Sequence, residues 1–269
     1  MNLTAGIRWF FRSATALVLA FIYAPLAVVV ILSFNNSTSL AWPPHSFTFK
    51  WWTRAFHNQG AREALFNSLK VASGATIVAL LLGTMAAMAV HRFKFFGRET
   101  VSLLIVLPIA LPGIVTGIAL NAAFTSAGIE FGLLTLVVAH ATFCIVVMYN
   151  NVLARMRRLS PNLEEASADL GGDAFQTFRL VTFPLMRSAL LAGGLLAFGL
   201  SFDEIVVTTF TSSPGLETLP LWIFNNLSRG DQQPIVTVVA TAVMLLSVVP
   251  VWLAQRLTGE PGTVVGGSH

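Results

Sequence analysis

Two adjacent carboxylates, Asp203 and Glu204, stand in the run AGGLLAFGLSFDEIVVTTF, which otherwise has the character of a membrane helix. An ionisable side chain inside such a span is expensive to bury and is a functional candidate by default. On a continuous helix, Gly193, Ala197, Ser201, Glu204 and Thr208 fall within about 80° of one face, and Asp203 points about 100° away from Glu204. That small, polar face suits close packing or a water-filled path. It predicts a substrate pathway in which Glu204 or Asp203 attracts or relays a cationic solute near the external mouth, with Ser201 and Thr208 beside them. The alternative is an interhelical hydrogen bond, or pairing with a basic side chain such as Lys70.

Other chemistries find less support. His140 opens an apolar run and reads as a satisfied packing residue. Ser201, Asp203 and His140 together carry no nucleophile-elbow spacing, so no catalytic residue is assigned and an enzyme is not expected. The five histidines and one cysteine show no zinc-ligand spacing. There is no G-x-x-x-x-G-K-[ST] phosphate loop, so an ATP-driven activity needs another subunit.

The second unusual stretch is SPNLEEASADLGGDAFQTFRLVTFP, residues 160–184. It is charged and glycine-broken, and it lies between two apolar runs. Its pattern predicts a short helix, a tight turn and a second short helix. Ser160 suits an N-cap and Pro161 the first helical position. Leu163, Ala166 and Leu170 share one face. Gly171-Gly172 supplies a left-handed stop, and Asp173 with Gln176 forms a fresh capping signal. Phe175, Phe178 and Val181 give the second helix its own apolar stripe. A partner protein is the economical way to cover both stripes.

The rest of the chain must hold these two features in place. Of 269 residues, 55% are apolar and 10% charged, against about 25% charged in soluble domains; mean hydropathy is +0.75. These values predict an all-α integral membrane protein. The pI of about 9.8 reflects cations in loops beside apolar runs, so topology explains it better than nucleic acid does. Cys144 lies in an apolar run and reads as a packed, inert thiol.

Six runs are long enough to span, at about residues 15–34, 66–90, 101–124, 133–153, 189–210 and 235–257. The first could be read as a signal peptide, but its length and the lack of an A-x-A-like site favour a retained anchor. Residues 35–65 form the longest external stretch, and Trp42, Trp51 and Trp52 suit an interfacial location. Pro108 and Pro112 predict a bent or interrupted third span, and Gly113-x-x-x-Gly117 permits close helix approach. The whole of 1–269 reads as one transmembrane domain with its core at about 66–257 and a disordered tail at 258–269.

Orientation follows from the cations. With the N-terminus inside, Arg8, Arg12, Arg92, Lys94, Arg98, Arg155, Arg157, Arg158, Arg179, Arg187 and Arg256 are cytoplasmic, whereas Lys50, Arg54, Arg62 and Arg229 are external. Lys70, within the second span, is the last of the 16. Both termini and the 160–184 hairpin are therefore expected on the cytoplasmic side.

Glu165-Ala166-Ser167, then Gly171, then Val181-Thr182-Phe183-Pro184 resembles the "EAA" loop of ABC-importer permeases. That loop reads roughly E-A-A, three residues, G, about nine residues, then an apolar-x-L-P ending; Ser167 and Phe183 are mild departures. Leu107-Pro108, the stretch 196–204 and the stretch 211–221 are similar to the polyamine-type permeases, within them to the second permease subunit of the spermidine/putrescine subfamily, over essentially the whole length. The resemblance implies a type I ABC-importer permease fold with a cytoplasmic coupling loop, in a bacterial inner membrane. It further implies a paralogous second permease, two cytoplasmic ATPase subunits that bind ATP and Mg, an extracytoplasmic solute-binding protein, and no cofactor in this chain. Carried over, Glu164, Glu165, Ala166, Ser167, Leu170, Gly171 and Pro184 would form the ATPase-coupling site. Spans two to five would line the pathway, and the first would pack outside. The loops around Trp51 and at 214–222 could meet the binding protein or simply anchor at the interface. Putrescine or spermidine is the implied solute. Gly113 stands where polyamine permeases often carry an acidic residue, so another small amine or amino-acid-like solute stays open, as does ion-coupled secondary transport.

Overall fold

Nearly every apolar run becomes a helix. The computed structural model describes residues 4–39, 41–160 and 162–257; the expectations for Pro161 and for the tail 258–269 lie outside them. Twelve helices are ordered along the described chain: α1 Ala5–Leu32, α2 Lys50–His57, α3 Gln59–Arg92, α4 Arg98–Ala110, α5 Gly113–Ser126, α6 Leu133–Met156, α7 Asn162–Asp169, α8 Ala174–Thr177, α9 Phe183–Phe202, α10 Val206–Thr211, α11 Leu219–Leu227 and α12 Gln233–Leu257. A π-helical turn, Phe178–Thr182, joins α8 to α9. Among the described residues the β pairing is a single isolated bridge between Asn35 and Phe47.

Four helices are long and apolar enough to cross a membrane, and the α4–α5 pair makes a fifth if it is one broken span. The sixth expected span corresponds to α12, whose apolar stretch in the described residues is Gln233–Val248. The third span is interrupted as its prolines predict. Leu111 is forced to an extended ψ of 143° because the residue before a proline is driven out of the α region, and the helix turns by 105° there.

The fifth span differs from its expected limits at both ends. It is helical from Ala174 to Phe202, so the second hairpin helix is continuous with the span. Pro184 explains the irregularity: a proline inside a helix loses one ladder bond and crowds the preceding turn. The π-helical turn Phe178–Thr182 directly before it absorbs the mismatch. At the other end the helix stops at Phe202 and restarts at Val206. The continuous face expected over 193–208 is therefore cut at Asp203, and its phase is reset.

The described residues sort into two compact units, one within 4–62 and 223–247, the other within 63–222 and 248–257. In the first unit, Phe34 stacks on Trp52 at 5.4 Å and meets Phe49 edge-on at 5.2 Å. Lys50 Nζ donates to Asn36 Oδ1 at 2.6 Å, and Lys50 and Arg54 both lie over the ring of the buried Trp51. The 35–65 stretch holds the short helix α2 and the first residues of α3. The apolar window of α1 has no residue buried within the chain, as a lipid-facing helix requires.

The second unit is built around α6, which packs on α4, α5, α9 and α10. Lipid supplies no hydrophobic drive between helices, so small residues that admit close approach decide which pairs form. Met148 of α6 sits between two of them. A Cβ on Gly83 of α3 would lie 2.8 Å from Met148 Cβ, and one on Gly193 of α9 would lie 2.8 Å from its sulfur. Gly117 plays this role for α5: an added Cβ would lie 2.7 Å from Phe210 of α10, whereas one on Gly113 would meet Val206 of α10 at an ordinary 3.6 Å contact. The close approach expected of Gly-x-x-x-Gly is thus found at Gly117, with α10 as the partner.

Candidate functional site

The hairpin is built from local rules. Helix α7 ends where Gly171 takes a φ of +81°, a left-handed conformation that glycine adopts without penalty. The N–H groups of Gly171 and Gly172 return to the carbonyls of Ala168 and Ser167, each at 2.9 Å. Asp173 Oδ1 then accepts from the Phe175 and Gln176 N–H groups at 2.8 Å, while its own N–H donates to Gln176 Oε1. This is the capping box expected there. Ser167 and Thr177 exchange a 2.8 Å hydrogen bond that ties the two arms together.

Two neighbouring glutamates are separated by this geometry. Glu164 turns back into the chain: its Oε1 takes an ion pair from Arg92 Nη2 at 2.5 Å and a hydrogen bond from Thr182 Oγ1 at 3.1 Å. It therefore links α7 to the end of α3 and to the π-helical turn before α9. Glu165 and Ala166 are exposed, and so is Leu170, at 90%. Leu163, Phe175 and Leu180 are exposed as well. The hairpin thus presents exposed apolar side chains among charged ones beside Glu165, with Gly171 at its tip and Pro184 exposed at the root of α9.

The carboxylates stand at the interruption of the fifth span. Asp203 is exposed. Glu204 is half-buried, and its Oε1 accepts from the Val207 N–H at 2.8 Å, capping the start of α10. Among the described residues Lys70 pairs with neither; it is exposed on α3. Broken backbone within a span needs other partners for its polar groups, and threonines supply them here. Thr208, Thr209 and Thr211 donate their hydroxyls to the carbonyls of Glu204, Ile205 and Val207 at 2.7–2.9 Å. The break in the third span lies beside this one, since Gly113, the first residue of α5, approaches Val206, the first of α10. Asn121 Nδ2 adds a 2.6 Å bond to the Phe210 carbonyl.

Ser201 and Thr208 are not on an open face. Both are buried, and both bond to His140 of α6: Nδ1 lies 2.8 Å from Ser201 Oγ and Nε2 lies 2.9 Å from Thr208 Oγ1. His140 is the satisfied buried residue expected, yet its place at the carboxylates was invisible in sequence, as was the Arg92–Glu164 pair. These partners are 61 to 72 residues apart, and no local pattern joins them. Among the described residues no cluster of His, Cys, Asp and Glu could hold a metal.

The family described as "Binding-protein-dependent transport system inner membrane component" matches residues 79–259, a range that includes the hairpin, both helix breaks and α6. The chain belongs to this family. Among relatives, the spermidine/putrescine transport system permease protein PotC of Haemophilus influenzae is 33% identical over 253 residues, 93% of this chain and 97% of that protein. The putrescine transport system permease protein PotI of Escherichia coli is 33% identical over 232 residues, 83% of this chain and 82% of that protein. A solved bacterial ABC transporter involved in the import of alginate has a chain with TM-score 0.71 at 17% identity, covering 98% of this chain and 100% of that one. At that identity the likeness shows a shared ABC-permease fold. The protein is thus a multi-pass inner-membrane permease of the binding-protein-dependent class.

Proposed function

We propose that this permease forms half of the translocation pathway of an ATP-driven importer for a small organic cation, a polyamine such as putrescine or spermidine. One observation carries the coupling half of this reading: the hairpin leaves Leu163, Ala166, Leu170 and Phe175 exposed around Glu165. Outward apolar surface of this kind is characteristic of a partner interface. The partner is a cytoplasmic ATPase subunit, which binds ATP and Mg; this chain supplies no cofactor site. Glu165, Ala166, Leu170 and Gly171 form the docking face. Glu164 braces that face against α3 and the turn before α9, Ser167 ties it to α8, and Pro184 stands at the root of α9. Orientation by the positive-inside rule places the hairpin and both termini in the cytoplasm.

The pathway half rests on the two adjoining helix breaks. Irregular backbone at membrane depth is tolerated where it is buried in protein or lines a watery cavity, and the exposure of Asp203 favours the cavity. Asp203 and Glu204 attract the cation there, while a second, paralogous permease closes the other side. An extracytoplasmic binding protein delivers the solute. The relatives named for putrescine and spermidine transport support the choice of cation.

The test is purification from the native membrane in mild detergent, with mass spectrometry of what accompanies the chain, beside Glu165→Arg. An ATPase and a second permease that accompany the native chain, with the ATPase lost from the variant, are expected. A folded chain that emerges alone, reproducibly, refutes the importer assembly. The solute carried by the co-purifying binding protein tests the polyamine assignment separately.

A further inference from the structure

We propose that His140 is a positioning residue for Glu204, clamping the two ends of the broken fifth span so that the carboxylate stays aimed at the pathway. The inference deepens the proposed pathway and rests on Glu204 attracting cations there.

With the ring neutral and all three bonds made together, one set of donor directions satisfies the clamp. A threonine hydroxyl has one hydrogen, and that of Thr208 is donated to the Glu204 carbonyl at 2.9 Å. Thr208 Oγ1 must therefore accept from His140, which places a proton on Nε2. In the neutral ring Nδ1 is then a bare acceptor, and Ser201 Oγ donates to it at 2.8 Å. The chain runs Ser201, His140, Thr208, Glu204 carbonyl, with each hydroxyl hydrogen and both ring nitrogens engaged. It starts one residue before the end of α9 and reaches α10, so it bridges Asp203–Ile205 through a side chain of a third helix. Glu204 is then held at two points, through its carbonyl by Thr208 and through Oε1 by the Val207 N–H. The imidazole, Ser201 and Thr208 are all buried, so the clamp acts through Glu204 and does not touch solute.

The test reads the electrostatic field beside Glu204 and needs no knowledge of the solute. Asp203→Cys, at an exposed position, is modified in membrane vesicles holding the assembled transporter by a cationic and by a neutral methanethiosulfonate. Native Cys144 is buried and does not compete. The ratio of the two rates reports negative charge from Glu204. Glu204→Gln is expected to lower that ratio about tenfold. His140→Leu and Thr208→Val are each expected to lower it about fivefold, and Thr208→Ser, which keeps the hydroxyl, to restore it. In the Glu204→Gln background, Thr208→Val should change nothing further. Unchanged ratios in His140→Leu and Thr208→Val, or Thr208→Ser failing to rescue, overturn the clamp. A Glu204→Gln ratio equal to the native one instead removes the pathway role of Glu204, which is a separate failure. If His140→Leu does not assemble, the nearly isosteric Thr208 pair decides the matter alone.

Discussion

Replacing Gly83 by alanine tests a close helix approach in the second unit. The new Cβ would lie 2.8 Å from Met148 Cβ and 2.9 Å from the Ile145 carbonyl oxygen. The carbonyl is part of the α6 backbone and cannot rotate aside, so α3 and α6 must separate or Met148 must leave its rotamer. Overpacking of this kind costs ~1–3 kcal/mol, partly offset by the better helix propensity of alanine, ~1 kcal/mol. Gly199→Ala is the control, because nothing lies within 4 Å of its added Cβ and only the propensity gain applies. In mild detergent, apparent melting followed by size-exclusion chromatography at one heating rate should place Gly83→Ala several degrees below Gly199→Ala, given ~2–4 °C per kcal/mol for chains of this size. Gly83→Ala melting level with Gly199→Ala, or above it, refutes the close α3–α6 contact and with it the seating of Met148.

Three further outcomes are expected. Leu170→Ser should leave melting within ~0.5 kcal/mol, as surface changes do, while weakening co-purification of the ATPase; retention of the ATPase at native levels counts against the outer face as the docking surface. Asp173→Ala removes both N–H caps of α8 at ~1 kcal/mol, so amide exchange at Phe175 and Gln176 should quicken while the transmembrane core stays protected. Arg92→Ala should alter global stability by less than ~1 kcal/mol, because the pair is partly solvated. It should nevertheless speed proteolytic cleavage at the hairpin, with the exchanged pair Arg92→Glu/Glu164→Arg restoring resistance.

The local elements were legible because their causes are local. Apolar length predicts helices, Pro112 dictates the conformation of Leu111, and Asp173 with Gln176 dictates a cap. The family resemblance was carried in the same way, by a contiguous motif at 165–184. Two expectations for the fifth span changed on folding. Its start moved because a π-helical turn carries the helix through Pro184, and its end moved because the chain breaks at Asp203. The helical-face argument for Ser201 and Thr208 assumed one unbroken cylinder, and the break invalidates that phase.

By itself, the sequence determined that this is an all-helical membrane permease with a charged hairpin and two acidic residues in an apolar span. Hydropathy, turn residues and caps act over a few positions and are readable one after another. Only the tertiary structure decided which glutamate faces inward, which helix fills the groove of Gly113 and Gly117, and what His140 holds. Those outcomes depend on side chains far apart in sequence meeting in the same low-dielectric space, where each buried donor must find its acceptor.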